Sequence, residues 1–200
     1  MKGVNIVTNR IVLFMTDTRL HIETINTSIQ NNILTKSLVV GAVTNKKSTH
    51  QFLKNTTDIP VIYSKWNKNE QSREAYDINL AKIIAPLKPD TVILTGWKHI
   101  FTSNFIKSFK NVINIHPALP DSYIGLNCID KALQEYKKDN TKNVTGLMVH
   151  RVIEELDRGP VLEYIEVPIF EYDDLDDLTE RFREYERGPL IASIKTIENQ

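Results

Sequence analysis

The chain has 200 residues, of which 41% are hydrophobic and 25% charged, a balance that suits one globular domain over residues 1–200 and excludes disordered and fibrous classes. Lys plus Arg equals Asp plus Glu at 25 each, so no net field favours nucleic acid, an anionic membrane or a polycationic partner. The single cysteine, Cys128, excludes an internal disulfide and a cysteine zinc cluster and reads as a packed thiol, in keeping with a reducing compartment.

The elements follow in chain order. Ile11–Met15 is a short β-branched run that reads as a strand, and a helical stretch near His21–Asn31 follows it. Leu38–Thr44 reads as the next strand, then a short polar helix near Thr49–Lys54 and a brief strand at Val61–Tyr63. From Asn69 to Leu87, the apolar positions Ala75, Ile78, Leu80, Ile83 and Ile84 keep helical spacing, which Pro89 ends. Val92–Thr95 and Val112–Ile115 read as buried central strands flanking a short helix near Ser103–Phe109.

Further on the character changes. Thr145–Val152 and Val161–Ile169 form two strands around a turn with Arg158, Gly159 and Pro160, which predicts an antiparallel hairpin. Asp174–Glu198 opens with acids and carries Leu175, Leu178, Phe182, Leu190 and Ile194 at helical spacing, with Gly188 and Pro189 expected to kink or interrupt it. No element is assigned between Gly125 and Thr145. The alternation predicts an α/β fold, a Rossmann-like and mostly parallel twisted sheet with helices on both faces and a C-terminal antiparallel hairpin. No apolar stretch approaches the roughly 20 residues that span a bilayer, and no secretory signal is legible, so the expected location is the cytoplasm.

Two stretches carry chemistry. Strand alternation places Asn114 and His116 on one face, where both leave the carboxyl edge of the sheet together, and Pro117 and Pro120 keep the next loop irregular. The same spacing also suits two polar residues that merely cap the loop. The second stretch, Glu154, Glu155 and Asp157 before Gly159, could equally be a solvated acidic turn.

Taken together, these stretches resemble the folate-dependent formyltransferases, with a body most similar to the phosphoribosylglycinamide (GAR) formyltransferases. The likeness spans about Asp58 to Leu190 and rests on NIHPALP with the following glycine at Asn114–Gly125, TGLMVHRVIEELDRGPV at Thr145–Val161, SREAYD at Ser72–Asp77 and LTGW at Leu94–Trp97. The resemblance implies transfer of a formyl group from 10-formyltetrahydrofolate to a primary amine, with Asn114, His116 and Asp157 as catalytic residues and no metal. Asn114 and a protonated His116 would donate to the oxyanion, while Asp157 would orient the imidazole and, with a bound water, relay the amine proton. It implies a pteridine pocket made by Trp97, Lys98, His99, Ile100 and Phe101 together with Val152, Ile153, Glu154 and Glu155, read mainly by backbone groups. His99 is then a wall residue, and His21, His50 and His150 receive no catalytic role.

One segment departs from the resemblance. GAR formyltransferases carry a glycine-rich phosphate loop after the first strand, whereas this chain has Met15, Thr16, Asp17, Thr18, Arg19, Leu20 and His21. Without glycine, and with Asp17 expected to cap the helix and repel a phosphate, the favoured acceptor is a nucleotide-linked amino-deoxysugar, as in the sugar N-formyltransferases, its diphosphate met by Arg19 or Lys98. GAR is the alternative acceptor. A hydrolase using water as acceptor and a noncatalytic folate binder are the other classes, and a monomer and a homodimer are both compatible with the sequence.

Overall fold

The computed structural model describes residues 8–17 and 20–200. Five parallel strands form first: β1 (Asn9–Met15), β2 (Ser37–Thr44), β3 (Val61–Tyr63), β4 (Thr91–Thr95) and β5 (Asn111–His116). Two antiparallel strands, β6 (Val144–Arg151) and β7 (Val161–Pro168), complete a seven-stranded sheet in the order β3-β2-β1-β4-β5-β6-β7. The chain first builds outward from β1 to β3, then returns to the other side of β1 with β4. The carboxyl ends on either side of that reversal are where α/β sheets bind ligands.

Alternation along β1 explains the layers. Ile11, Leu13 and Met15 pack with α1 (Leu20–Gln30), α2 (Lys47–Thr56), α5 (Cys128–Lys138), α6 (Leu175–Tyr185) and α7 (Arg187–Glu198), through Ile25, Leu53, Leu133, Phe182 and Ile194. Val12 and Phe14 face the opposite side, against Tyr76, Leu80 and Ile84 of α3 (Arg73–Ile84) and Phe105 of α4 (Ser103–Ile106). Because helices cover both faces, β1 is apolar from Ile11 to Met15 and β4 from Val92 to Leu94, instead of alternating with polar residues. The expected α/β architecture and C-terminal hairpin are both present.

Three element expectations need revision. The helix expected from Asn69 begins at Arg73, because the Ser72 hydroxyl caps it by accepting from Ala75 N–H, while Asn67 folds the preceding residues into a turn by accepting from the Asn69 N–H. Helix α5, unassigned from sequence, buries Cys128, Ala132 and Leu133. The C-terminal helix is interrupted as expected, but at Glu186, ahead of Gly188 and Pro189, which gives two helices. Asp174 and Asp177 form a capping box at the start of α6, and Pro189 falls in the first turn of α7, where its missing N–H costs nothing.

Candidate active site

Asn114 and His116 lie at the carboxyl end of β5 and face one cavity, as period-two alternation requires. The His116 side chain is 4% exposed, and its Nε2 donates to the Tyr123 carbonyl at 2.9 Å. That contact leaves Nδ1 facing the Asp157 carboxylate at 3.5 Å. Across the antiparallel pair, β6 sets His150 directly opposite Asn114, with His150 Nε2 3.3 Å from Asn114 Nδ2. His150, given no catalytic role from sequence, thus lies in β6 beside the site: its ring stands perpendicular to that of His116 at 6.2 Å between centroids. Burial pushes its basicity down, outweighing the opposite pull of Asp157.

Of the three carboxylates expected in the acidic loop, only one turns inward. Asp157 adopts a left-handed backbone (φ 53°), which aims its side chain between the two histidines; Oδ2 accepts the Gly125 N–H at 2.9 Å and Oδ1 lies 3.7 Å from His150 Nε2. Gly159 makes this turn possible, since a Cβ there would fall 1.7 Å from the Arg151 carbonyl oxygen. Glu154 stays exposed, and Ser103 followed by Lys107, its ion-pair partner at 3.6 Å, holds its carboxyl below the usual range. Cys128, buried, donates to the Gly125 carbonyl at 3.2 Å and sits 3.7 Å from His116 Nε2; burial raises its thiol pKa, as suits a packed group.

The cavity measures about 300 Å³ and brings together every residue singled out from sequence for the pteridine pocket: Trp97, Lys98, His99, Ile100 and Phe101 on one wall, Val152, Ile153, Glu154 and Glu155 on the other. Both walls are irregular segments, so apart from the Val152 N–H, which donates to the Val112 carbonyl at 2.8 Å, their backbone groups are not consumed by a sheet ladder. Flat apolar flanks bounded by main-chain donors and acceptors suit a planar, amide-edged heterocycle. The first wall is anchored from behind. Asp77 of α3, completely buried, accepts from His99 Nε2 and from Thr102 N–H, each at 2.6 Å. Among the described residues, no group of three or more His, Cys, Asp or Glu side chains is placed to hold a metal.

A Rossmann-like sheet with an amide, an imidazole and a carboxylate converging beyond its strand ends suits group transfer at a carbonyl centre. Residues 9–194 match the formyl transferase family. The chain is 37% identical over 145 residues to the phosphoribosylglycinamide formyltransferase of Dictyostelium discoideum, covering 69% of this chain and 70% of the relative. It is 33% identical to the Schizosaccharomyces pombe enzyme of that name, covering 68% and 67%. A crystal structure of phosphoribosylglycinamide formyltransferase from Bacillus halodurans superposes with a TM-score of 0.83 at 26% identity, over 94% of this chain and 95% of that one. The chain therefore belongs to the formyl transferase family, as a folate-dependent N-formyltransferase with 10-formyltetrahydrofolate as formyl donor.

These relatives overturn the nucleotide-linked amino-sugar acceptor inferred from the missing glycine loop. The structure supplies a physical reason why that inference misled. The Asp17 carboxylate is paired with Lys46 at the surface, which weakens the repulsion it would exert on a phosphate. Thr16 is tied in place as well, its hydroxyl donating to the Gly96 carbonyl at 3.0 Å and its own carbonyl accepting from Thr49 at 2.8 Å. Thr18 and Arg19 lie outside the described residues; Lys98, the other basic side chain considered, lines the cavity. No described helix is long and apolar enough to cross a membrane.

Proposed function

We propose that the chain formylates the primary amine of phosphoribosylglycinamide, with Asn114, His116 and Asp157 as its catalytic residues. The observation that carries the acceptor is the 37% identity over 145 residues to an enzyme named for that substrate. The folate donor supplies the formyl carbon. Its ring fits between the 97–101 and 152–157 segments, whose irregular backbone offers donors and acceptors to a pterin.

The residues divide the remaining work. Asn114 Nδ2–H donates to the formyl oxygen as charge gathers there, a contribution of about 3 kcal/mol for one preorganised donor. His116 keeps one proton at Nε2 on the Tyr123 carbonyl, so Nδ1 is the nitrogen that exchanges a proton with the reacting groups. Asp157, 3.5 Å from Nδ1, steadies the ring when both nitrogens are protonated and is placed to receive the proton released by the amine, which passes to the folate nitrogen as its bond to the formyl carbon breaks.

The test compares kcat/KM for phosphoribosylglycinamide and for a panel of other primary amines, among them nucleotide-linked amino sugars, at equal 10-formyltetrahydrofolate. Phosphoribosylglycinamide should lead by at least about tenfold, 1.4 kcal/mol in transition-state binding. Faster turnover of another amine would overturn the acceptor, and amine-independent release of formate would overturn the transferase.

A further inference from the structure

His150 sits within the site, yet the division of work above leaves it without a task. It is 2% exposed and lies opposite Asn114 in the β5–β6 register. Its two ring nitrogens meet different partners. Nδ1 is 3.0 Å from the Arg151 carbonyl oxygen, which can only accept, so Nδ1 carries the hydrogen. Nε2 is 3.3 Å from Asn114 Nδ2 and 3.7 Å from Asp157 Oδ1. A neutral ring offers a lone pair at Nε2, which complements the amide N–H and not the carboxylate. Burial favours this neutral form. The groups facing the ring are Asp157, which favours a second proton, and His116, which opposes it.

The terminal torsion of an asparagine is broad and roughly twofold, so nothing in the Asn114 side chain alone decides which way its amide points. Turned over, the amide would set its carbonyl oxygen against the Nε2 lone pair, two acceptors in contact with no hydrogen between them. We infer that His150 is a positioning residue: by accepting one N–H of Asn114 at Nε2, it fixes the amide so that the second N–H is free for the formyl oxygen. This rests on the oxyanion role proposed for Asn114. Protonation of His150 would place an N–H at Nε2 and favour the reversed amide, so turnover should fall as that proton is taken up.

The wild-type chain gives the first test, by ring nitrogen NMR of histidine-labelled protein at pH 7. The expected result is a neutral His150 protonated at Nδ1; a ring protonated at Nε2 would overturn the inference whether or not any variant folds. The second test is a cycle with Asn114→Ala. His150→Phe fills the space without a lone pair and should lower kcat about tenfold with both KM values within about twofold, while His150→Gln, which restores an acceptor, recovers part of the rate. In the Asn114→Ala background, His150→Phe should have no further effect. Equal losses in both backgrounds, or an undiminished His150→Phe enzyme beside an impaired Asn114→Ala enzyme, would sink the inference and leave the oxyanion role standing. Full turnover of Asn114→Ala would sink both.

Discussion

The two walls of the cavity are built on opposite principles. The 97–101 wall grows out of the core: Trp97 and Phe101 meet Phe14 edge-on at 5.1 and 5.6 Å, and Phe101 stacks on Phe105 at 3.7 Å. The 152–157 wall leaves the sheet, keeps Glu154 and Glu155 in water and is tied back through the Asp157 contact to Gly125 N–H. One wall is thus coupled to stability and the other to the placement of charge. Substitutions behind the first should appear in unfolding and in folate affinity, and those at the inner end of the second in turnover.

The largest effect should come from emptying the aromatic stack. Phe105→Ala removes a fully buried ring under the 97–101 wall and should cost about 3–5 kcal/mol of unfolding free energy, measured by denaturant titration. A loss below about 1 kcal/mol would show that this wall does not depend on the core. On the charge-handling side, His116→Ala should lower kcat by at least about a hundredfold, near 2.7 kcal/mol, with an unchanged circular dichroism spectrum. Asp157→Ala should lose a similar amount, and the pair should lose less than the sum because both act on one transfer step. Near-normal turnover in a folded His116→Ala enzyme would break the assignment of chemistry to this side.

A smaller effect is expected behind the first wall. Asp77→Asn keeps the size of the side chain but leaves one of the two N–H groups poorly met, at about 1–3 kcal/mol. That corresponds to a fall of roughly 2–12 °C in Tm for a chain of this length, accompanied by a raised KM for the folate and little change in kcat. A kcat loss at constant KM would blur the division between the walls. Smallest of all, Glu154→Gln on the hydrated rim should leave Tm within about 1 °C and turnover within about twofold.

Where local pattern decides, the sequence was legible. The period of two placed Asn114 and His116 together, and the β-branched run Val61–Tyr63 became β3 with those bounds. His150 was not legible in this way. Its role depends on which β5 residue it faces, and that register joins positions 36 apart in the chain, which alternation within β6 does not encode. Nor could spacing rank Glu154, Glu155 and Asp157, since only the left-handed backbone at Asp157 and the turn closed by Gly159 bring one carboxylate inward. Helix α5 did leave a trace. Cys128, Ala132, Leu133 and Tyr136 recur at helical spacing, but the short segment is flanked by polar residues that read as loop. One strand of the acceptor argument, the repulsion expected from Asp17, overlooked Lys46, 29 residues away, which pairs with that carboxylate; the other, the absent glycines, is a true feature of the sequence that did not decide the acceptor.

The double anchor at Asp77 also bears on how a ligand arrives. With His99 and Thr102 both held from behind, the 97–101 segment loses its conformational freedom when the chain folds and not when a ligand binds. It is a template rather than a lid. Free and ligand-bound chains should superimpose there within about 1 Å, and related folates that differ in affinity for this wall should differ chiefly in how fast they leave.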